Sequence, residues 1–124
     1  MRSVARIADV RAAVAAARGE GRRIGFVPTM GFLHEGHLAL VDEARRRAGF
    51  VVMSIFVNPL QFGPQEDFAR YPRDVEGDAA KAAARGVDLV FLPETAEMYR
   101  TQRAVSVVPE RLAERWEGAV RPGH

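Results

Sequence analysis

Three short apolar runs, each stopped by a proline, limit what this chain can fold into more than any other feature. Ile24-Gly25-Phe26-Val27 meets Pro28, Phe50 to Val57 meets Asn58-Pro59, and Asp88-Leu89-Val90-Phe91-Leu92 meets Pro93. Runs this short and continuously apolar read as strands buried on both faces, not as helices. Helical spacing fills the gaps between them. Val4, Ile7, Val10, Val14 and Ala17 predict a first helix, ended by Gly19 and Gly21. Leu38, Val41, Ala44 and Ala48 form one face of a second, starting near Gly36, and Val75, Ala79, Ala82 and Ala83 one face of a third, opened by Pro72-Arg73-Asp74 and closed by Gly86. Helices alternating with doubly buried strands require a parallel sheet with right-handed crossovers, so the fold class is α/β and doubly wound. Further on, Val105-Ser106-Val107-Val108 predicts a short edge strand and Pro109 to Trp116 a short helix with proline at its start.

Length and charge exclude several function classes. With 124 residues, 48% of them apolar and 27% charged, the chain reads as one folded domain that needs no disulfide or metal staple. The net charge is only +2, and all but one of the 18 cations are arginine, Lys81 being the only lysine. A nucleic-acid binder would carry a basic stripe, yet the one dense run, Arg45-Arg46-Arg47, falls at a helix end, where cations favour the dipole. No nucleic-acid partner is therefore expected. The absence of cysteine fits a reducing compartment, and no stretch has the apolar length of a membrane span or secretory leader, so the expectation is a soluble, cytoplasmic protein.

In doubly wound sheets ligands bind beyond the carboxyl ends of the strands. The unusual residues cluster there: Pro28-Thr29-Met30-Gly31 after the first run, and Asn58-Pro59-Leu60-Gln61 after the second. His34-Glu35-Gly36-His37 follows at a helix start, its imidazoles three residues apart and so on one side of the turn. A helix N-terminus with two added imidazole donors suits a polyphosphate, and Gly31 and Gly36 permit close backbone approach. A zinc helix would need the histidines four apart and a third ligand, whereas the only other histidine is His124. No metal site is expected, and neither a glycine-rich dinucleotide fingerprint nor a phosphate-loop lysine motif is present. Asn58, Gln61 and the acidic pair Glu66-Asp67 lie in a long polar loop of the kind that often carries function. Gln61 is placed to fix an organic acid through paired donors and acceptors, while loop capping is an equal reading. Tyr71-Pro72-Arg73 is either an anion contact or a helix start with a packed tyrosine.

These motifs together resemble the pantothenate synthetase (pantoate and β-alanine ligase) family. The resemblance rests on Val27-Pro28-Thr29-Met30-Gly31, His34-Glu35-Gly36-His37, Ser54-Ile55-Phe56-Val57-Asn58-Pro59 with Gln61-Phe62, Glu66-Asp67 ahead of Tyr71-Pro72-Arg73, and Arg121-Pro122-Gly123-His124. The paired histidines alone are shared with many nucleotidylyltransferases and class I aminoacyl-tRNA synthetases. Five motifs in order, from Ile24 onward, are far more specific. The resemblance implies a Rossmann-like domain of the nucleotidylyltransferase and class I synthetase type. It also implies a two-step reaction, in which pantoate attacks the α-phosphate of Mg-ATP to give pantoyl adenylate and pyrophosphate, and β-alanine then displaces AMP.

By the same resemblance Met30, Gly31, Phe32, Leu33, His34, Glu35, Gly36 and His37 form the ATP segment, with His37 and His34 catalytic and His37 the candidate proton donor. Gln61 holds pantoate and serves the β-alanine step, while Thr29, Asn58 and Tyr71 are weaker carry-overs. The implied cofactors are ATP and the Mg2+ its phosphates carry, and the implied partners are these small molecules and, in the full-length protein, a second copy in a homodimer. Family members run to more than twice this length, so residues 1–124 are expected to be an N-terminal part with one half of the active site, turning over poorly alone. Two alternatives stay open: a nucleotidylyltransferase with another acceptor, and a non-catalytic module that binds nucleotide or a partner chain.

Overall fold

The computed structural model describes residues 1–63, 65–66 and 68–121. Asp67, Pro122, Gly123 and His124, which belong to two of the motifs above, lie outside the described residues. Four strands make one parallel sheet: β1 (Arg2–Val4), β2 (Ile24–Thr29), β3 (Phe50–Ile55) and β4 (Leu89–Phe91), in the spatial order β1-β4-β3-β2. Helix α1 (Ile7–Gly19) carries the chain from β1 across the sheet to β2 at the opposite edge. Helices α2 (Glu35–Arg47) and α3 (Val75–Ala84) then step it back through β3 to β4. The winding reverses at β2, which makes the sheet doubly wound as expected.

Alternation along the strands sorts the core into two layers. Val51, Met53 and Ile55 of β3 join Val27, Val90, Val41 of α2 and Ala82 of α3 on one face. Val52, Leu89, Phe91 and Val4 meet Ile7, Val10 and Val14 of α1 on the other. Gly25 belongs to the α2 layer for a steric reason: a Cβ there would lie 3.1 Å from the Ala44 Cβ and 3.2 Å from that of Ala48. Strand and helix pack here at a distance where a side chain would be crowded.

Several expectations are corrected. Among the described residues the strand beside the three buried runs is at residues 2–4 and not at Val105 to Val108: Val4, in register with the helical pattern, belongs to β1, and α1 starts only at Ile7. Residues 2–4 find a strand partner in β4, far along the chain, and pairing at that distance overrides local spacing. Strand β2 runs through Pro28 to Thr29, which an edge strand tolerates because a missing N–H there breaks no ladder. Helix α3 opens at Val75 and not at Pro72, capped by Asp74, whose carboxylate accepts the Gly77 N–H at 3.0 Å. Val105 to Val108 form no strand: Val105, Val107 and Val108 are exposed and pair with nothing among the described residues. The helix expected over Pro109 to Trp116 is a 3-10 turn at Arg111–Ala113, followed by a short α5 (Glu117–Val120). Before these, α4 (Thr95–Met98) follows β4, and Glu97 accepts the Ile7 N–H at 2.8 Å, tying α4 to the start of α1.

Candidate active site

All four strands run parallel, so their carboxyl ends open on one edge of the sheet. The connection from β2 to α2 lies there and is held by side chains almost residue by residue. The Thr29 hydroxyl donates to the Ser54 carbonyl at 2.9 Å and accepts the Gly31 N–H at 3.1 Å. Asp78 of α3 accepts the Phe32 and Leu33 N–H groups, each at 2.7 Å. Lys81, one turn along α3, donates to the Leu33 carbonyl at 3.0 Å. Gly31 and Phe32 are consecutive left-handed residues, with φ of 83° and 52°. A glycine accepts that conformation freely, a phenylalanine only when its surroundings impose it.

The two histidines cap α2 reciprocally. His34 is the N-cap, and its Nδ1 accepts the Gly36 N–H at 3.1 Å; the His37 Nδ1 accepts the His34 N–H at 3.3 Å. Their ring centroids stand 4.0 Å apart. A neutral imidazole that accepts at Nδ1 carries its proton at Nε2, so both rings are left with an Nε2–H donor. Burial holds the His37 imidazole below its ordinary 6.5, the neighbouring His34 ring adds to this, and the Asp78 carboxylate opposes it. His37 is thus neutral at pH 7 and offers a hydrogen bond, not a positive charge.

His37 lines a cavity of about 440 Å³ together with Thr29, Met30, Asn58 and Gln61, closed by Pro28, Ser54 and Phe56. A second cavity of about 460 Å³ lies past Met30 and Gly31, bordered by Arg73, Asp74, Asp78 and Glu94, and has no imidazole in its wall. Of the site residues expected from the sequence, Thr29, Met30, His37, Asn58 and Gln61 meet in the first. Asn58 is partly committed already, since its side-chain oxygen accepts the Leu60 N–H at 3.1 Å and the Tyr99 hydroxyl at 2.9 Å. Tyr71 is not brought to the histidines; it packs edge-on against Phe62 at 5.8 Å. Arg73 turns inward on its own loop, donating to the carbonyls of Phe68, Ala69 and Tyr71 and lying over the Phe68 ring. Tyr71-Pro72-Arg73 is thus a packed loop segment ahead of the Asp74 cap of α3. Arg121 reaches back to Glu66 at 2.6 Å, which joins two of the quoted motifs in space. Among the described residues no group of three His, Asp or Glu side chains could hold a metal ion.

Sequence reasoning missed Asp78 and Lys81. The signal was an acidic residue on the apolar stripe that Val75 and Ala82 define, and Asp78 is 1% exposed there. A carboxylate buried so deeply stands only where donors await it.

The family model for pantoate–beta-alanine ligase matches residues 2–124. The chain belongs to the pantoate–beta-alanine ligase family. A pantothenate synthetase of Desulfitobacterium hafniense is 60% identical over 119 residues, and one of Thermus thermophilus 58% over 125. These alignments cover 96% and 100% of this chain but 42% and 44% of the relatives, so the chain spans less than half the length of the proteins it matches. The crystal structure of a Thermus thermophilus pantothenate synthetase superposes with a TM-score of 0.87 at 55% identity, over all of this chain and 44% of that one. A Francisella tularensis pantoate–beta-alanine ligase, solved in complex with beta-gamma ATP and beta-alanine, gives 0.90 at 34% identity, over all of this chain and 48% of that one. The α/β sheet of the ligase family is thus the sheet described above. Among the described residues no helix is long and apolar enough to cross a membrane.

Proposed function

We propose that residues 1–124 are the N-terminal part of a nucleotide-binding domain that adenylates pantoate with ATP and passes the pantoyl group to β-alanine, releasing pyrophosphate and AMP. One observation carries the assignment of roles: the reciprocal imidazole cap leaves His34 and His37 with Nε2–H donors at the start of α2, and His37 faces the cavity that Gln61 and Thr29 share. In-line displacement at phosphorus needs the reactants aligned and the charge on the departing pyrophosphate stabilised. Imidazole N–H groups do the second by hydrogen bonding as charge develops, and a fixed donor costs no reorganisation in the transition state. His37 acts as hydrogen-bond donor in this scheme, with His34 beside it, and the segment from Met30 to His37 embraces the phosphates. Gln61 binds pantoate and stays in place while the amine of β-alanine attacks the acyl carbon.

Mg2+ enters as part of the ATP substrate, on the phosphates. The Francisella tularensis ligase was solved with an ATP species and β-alanine, which supports the substrate classes proposed for this chain. A homodimer and a cytoplasmic location complete the proposal.

The test is pantoate-dependent exchange of labelled pyrophosphate into ATP without β-alanine, by this chain and by a form extended to the length of its relatives. Exchange in the extended form, with weak exchange in the 124-residue chain, is expected. His37→Ala should lower the exchange rate about 100-fold or more, with a much smaller change in ATP affinity. Gln61→Ala should weaken pantoate binding by roughly 1 to 3 kcal/mol. Exchange that ignores pantoate but responds to another acceptor would overturn the substrate assignment, and an unchanged rate in His37→Ala would remove that residue from the reaction.

A further inference from the structure

We infer that Asp78 is a positioning residue for the imidazole pair, acting through the β2–α2 backbone and touching neither substrate nor cofactor; the inference rests on the roles proposed above for His34 and His37. Its carboxylate is 1% exposed and accepts two successive N–H groups, of Phe32 and Leu33, at 2.7 Å each. Those bonds fall on the segment where the chain is left-handed at both Gly31 and Phe32. An exposed aromatic residue has no intrinsic reason to hold φ of 52°, and Phe32 is 56% exposed. The carboxylate supplies the reason, because only this bend presents both N–H groups to one anion.

The fit is tight on the other side as well. A Cβ on Gly31 would lie 3.0 Å from Asp78 Oδ2 and 3.0 Å from Ile55 Cγ2, so the bend is closely packed between α3 and β3. Leu33 is locked twice, its N–H by Asp78 and its carbonyl by Lys81. The next residue is His34, whose N–H is the donor to His37 Nδ1. An error in the direction of the Leu33–His34 peptide therefore passes straight into the bond that sets the His37 ring and its tautomer. Charge-assisted bonds to a buried carboxylate are among the strongest available to hold a peptide in place. Asp78 comes 46 residues after Phe32, so the imidazole pair is set by a helix that forms later in the chain than the motif itself.

The experiment compares Asp78→Asn with Ala82→Gly in this chain. Ala82, fully buried on the same helix, makes none of the hydrogen bonds that hold the loop, and Ala82→Gly serves as a variant that loses thermal stability with those bonds intact. Nitrogen chemical shifts of the two imidazoles, read at pH 7, report the tautomers directly, and titration with Mg-ATP reports binding. In the parent both rings should show the Nε2–H pattern. Asp78→Asn should move His34 and His37 toward averaged tautomers and weaken Mg-ATP at least tenfold, while Ala82→Gly keeps the parent pattern at a comparable or larger fall in Tm. Parent-like imidazole shifts in Asp78→Asn, or the same disturbance in Ala82→Gly, would overturn the inference. Should Asp78→Asn fail to fold, Lys81→Met carries the comparison, and parent-like shifts there would overturn it equally. If the imidazoles respond as expected and the parent binds no ATP, the positioning stands and the functional proposal fails.

Discussion

The two connections that leave the carboxyl ends of β2 and β3 border the same cavity but are built on opposite principles. The β2–α2 connection is short, and its N–H groups go to side chains drawn from β2, α2 and α3: Thr29, His37 and Asp78. The β3–α3 connection is long and holds itself, through a 3-10 turn at Pro59–Gln61, another at Phe68–Arg70, the Phe62 ring against Phe68 and Tyr71, and Arg73 on three of its own carbonyls. The first has one conformation imposed from outside, and the second is a locally closed surface loop that brings Gln61 to the cavity. The imidazole donors thus sit on a connection held from outside, while Gln61 sits on one that holds itself.

That contrast makes the largest expected effect a stability loss in the short connection. Gly31→Ala places a Cβ at a left-handed residue already 3.0 Å from two neighbours and should destabilise the protein by about 3 kcal/mol in denaturant unfolding. Gly63→Ala in the long connection, where a Cβ would meet only Glu66 at 3.8 Å, should change stability by less than about 0.5 kcal/mol. Equal effects would erase the distinction between the two loops.

Next in size is Arg73→Met, which should cost about 1 kcal/mol, because exposed hydrogen bonds contribute modestly. It should loosen residues 68–71 in hydrogen exchange while leaving the imidazole shifts of His34 and His37 unchanged. Disturbed imidazoles would mean that the loops are coupled after all.

The smallest is a pH effect confined to the short connection. The His37 imidazole is held below 6.5 in the folded chain, mainly by burial, and returns to 6.5 on unfolding. Above that pH both states are neutral at His37 and nothing is lost. As pH falls through 6.5 the unfolded chain takes the proton first, so stability declines and levels off only below the folded value. Asp9 and Glu97, held low chiefly by bonds to Arg6 and to the Ile7 N–H, lose their contributions only in the more acidic carboxylate range. In His37→Gln the decline beginning near 6.5 should vanish from the Tm profile and the more acidic one remain.

What could be read from residues alone follows the range of the interactions. Strands β2, β3 and β4 and the three main helices rest on local periodicity and on stops such as Gly86, and all were legible. Strand β1 was not, because Val4 fits a helical stripe until β4 is available to pair with it. Val105 to Val108 has strand composition and no partner among the described residues, and composition without a ladder makes no strand. In the site, Thr29, Met30, His37 and Gln61, singled out by type and by place at or beyond the strand ends, line one cavity. Asn58 and Tyr71 were ambiguous by type, and packing decides them: Asn58 is shared between cavity and loop cap, and Tyr71 is drawn into an aromatic cluster. Asp78 could have been flagged by its place on an apolar stripe, but its partners lie on another element and no spacing rule reaches them.

The side-chain scaffold around the short connection bears on how portable the paired-histidine motif is. Residues 29–37 grafted onto another strand–helix junction would carry both imidazoles and the Thr29 anchor, yet arrive without the α3 carboxylate and ammonium that settle the peptide ahead of His34. In a search or a redesign, His-x-x-His is thus half a specification, and the other half is an acid and a base one helical turn apart on a neighbouring helix.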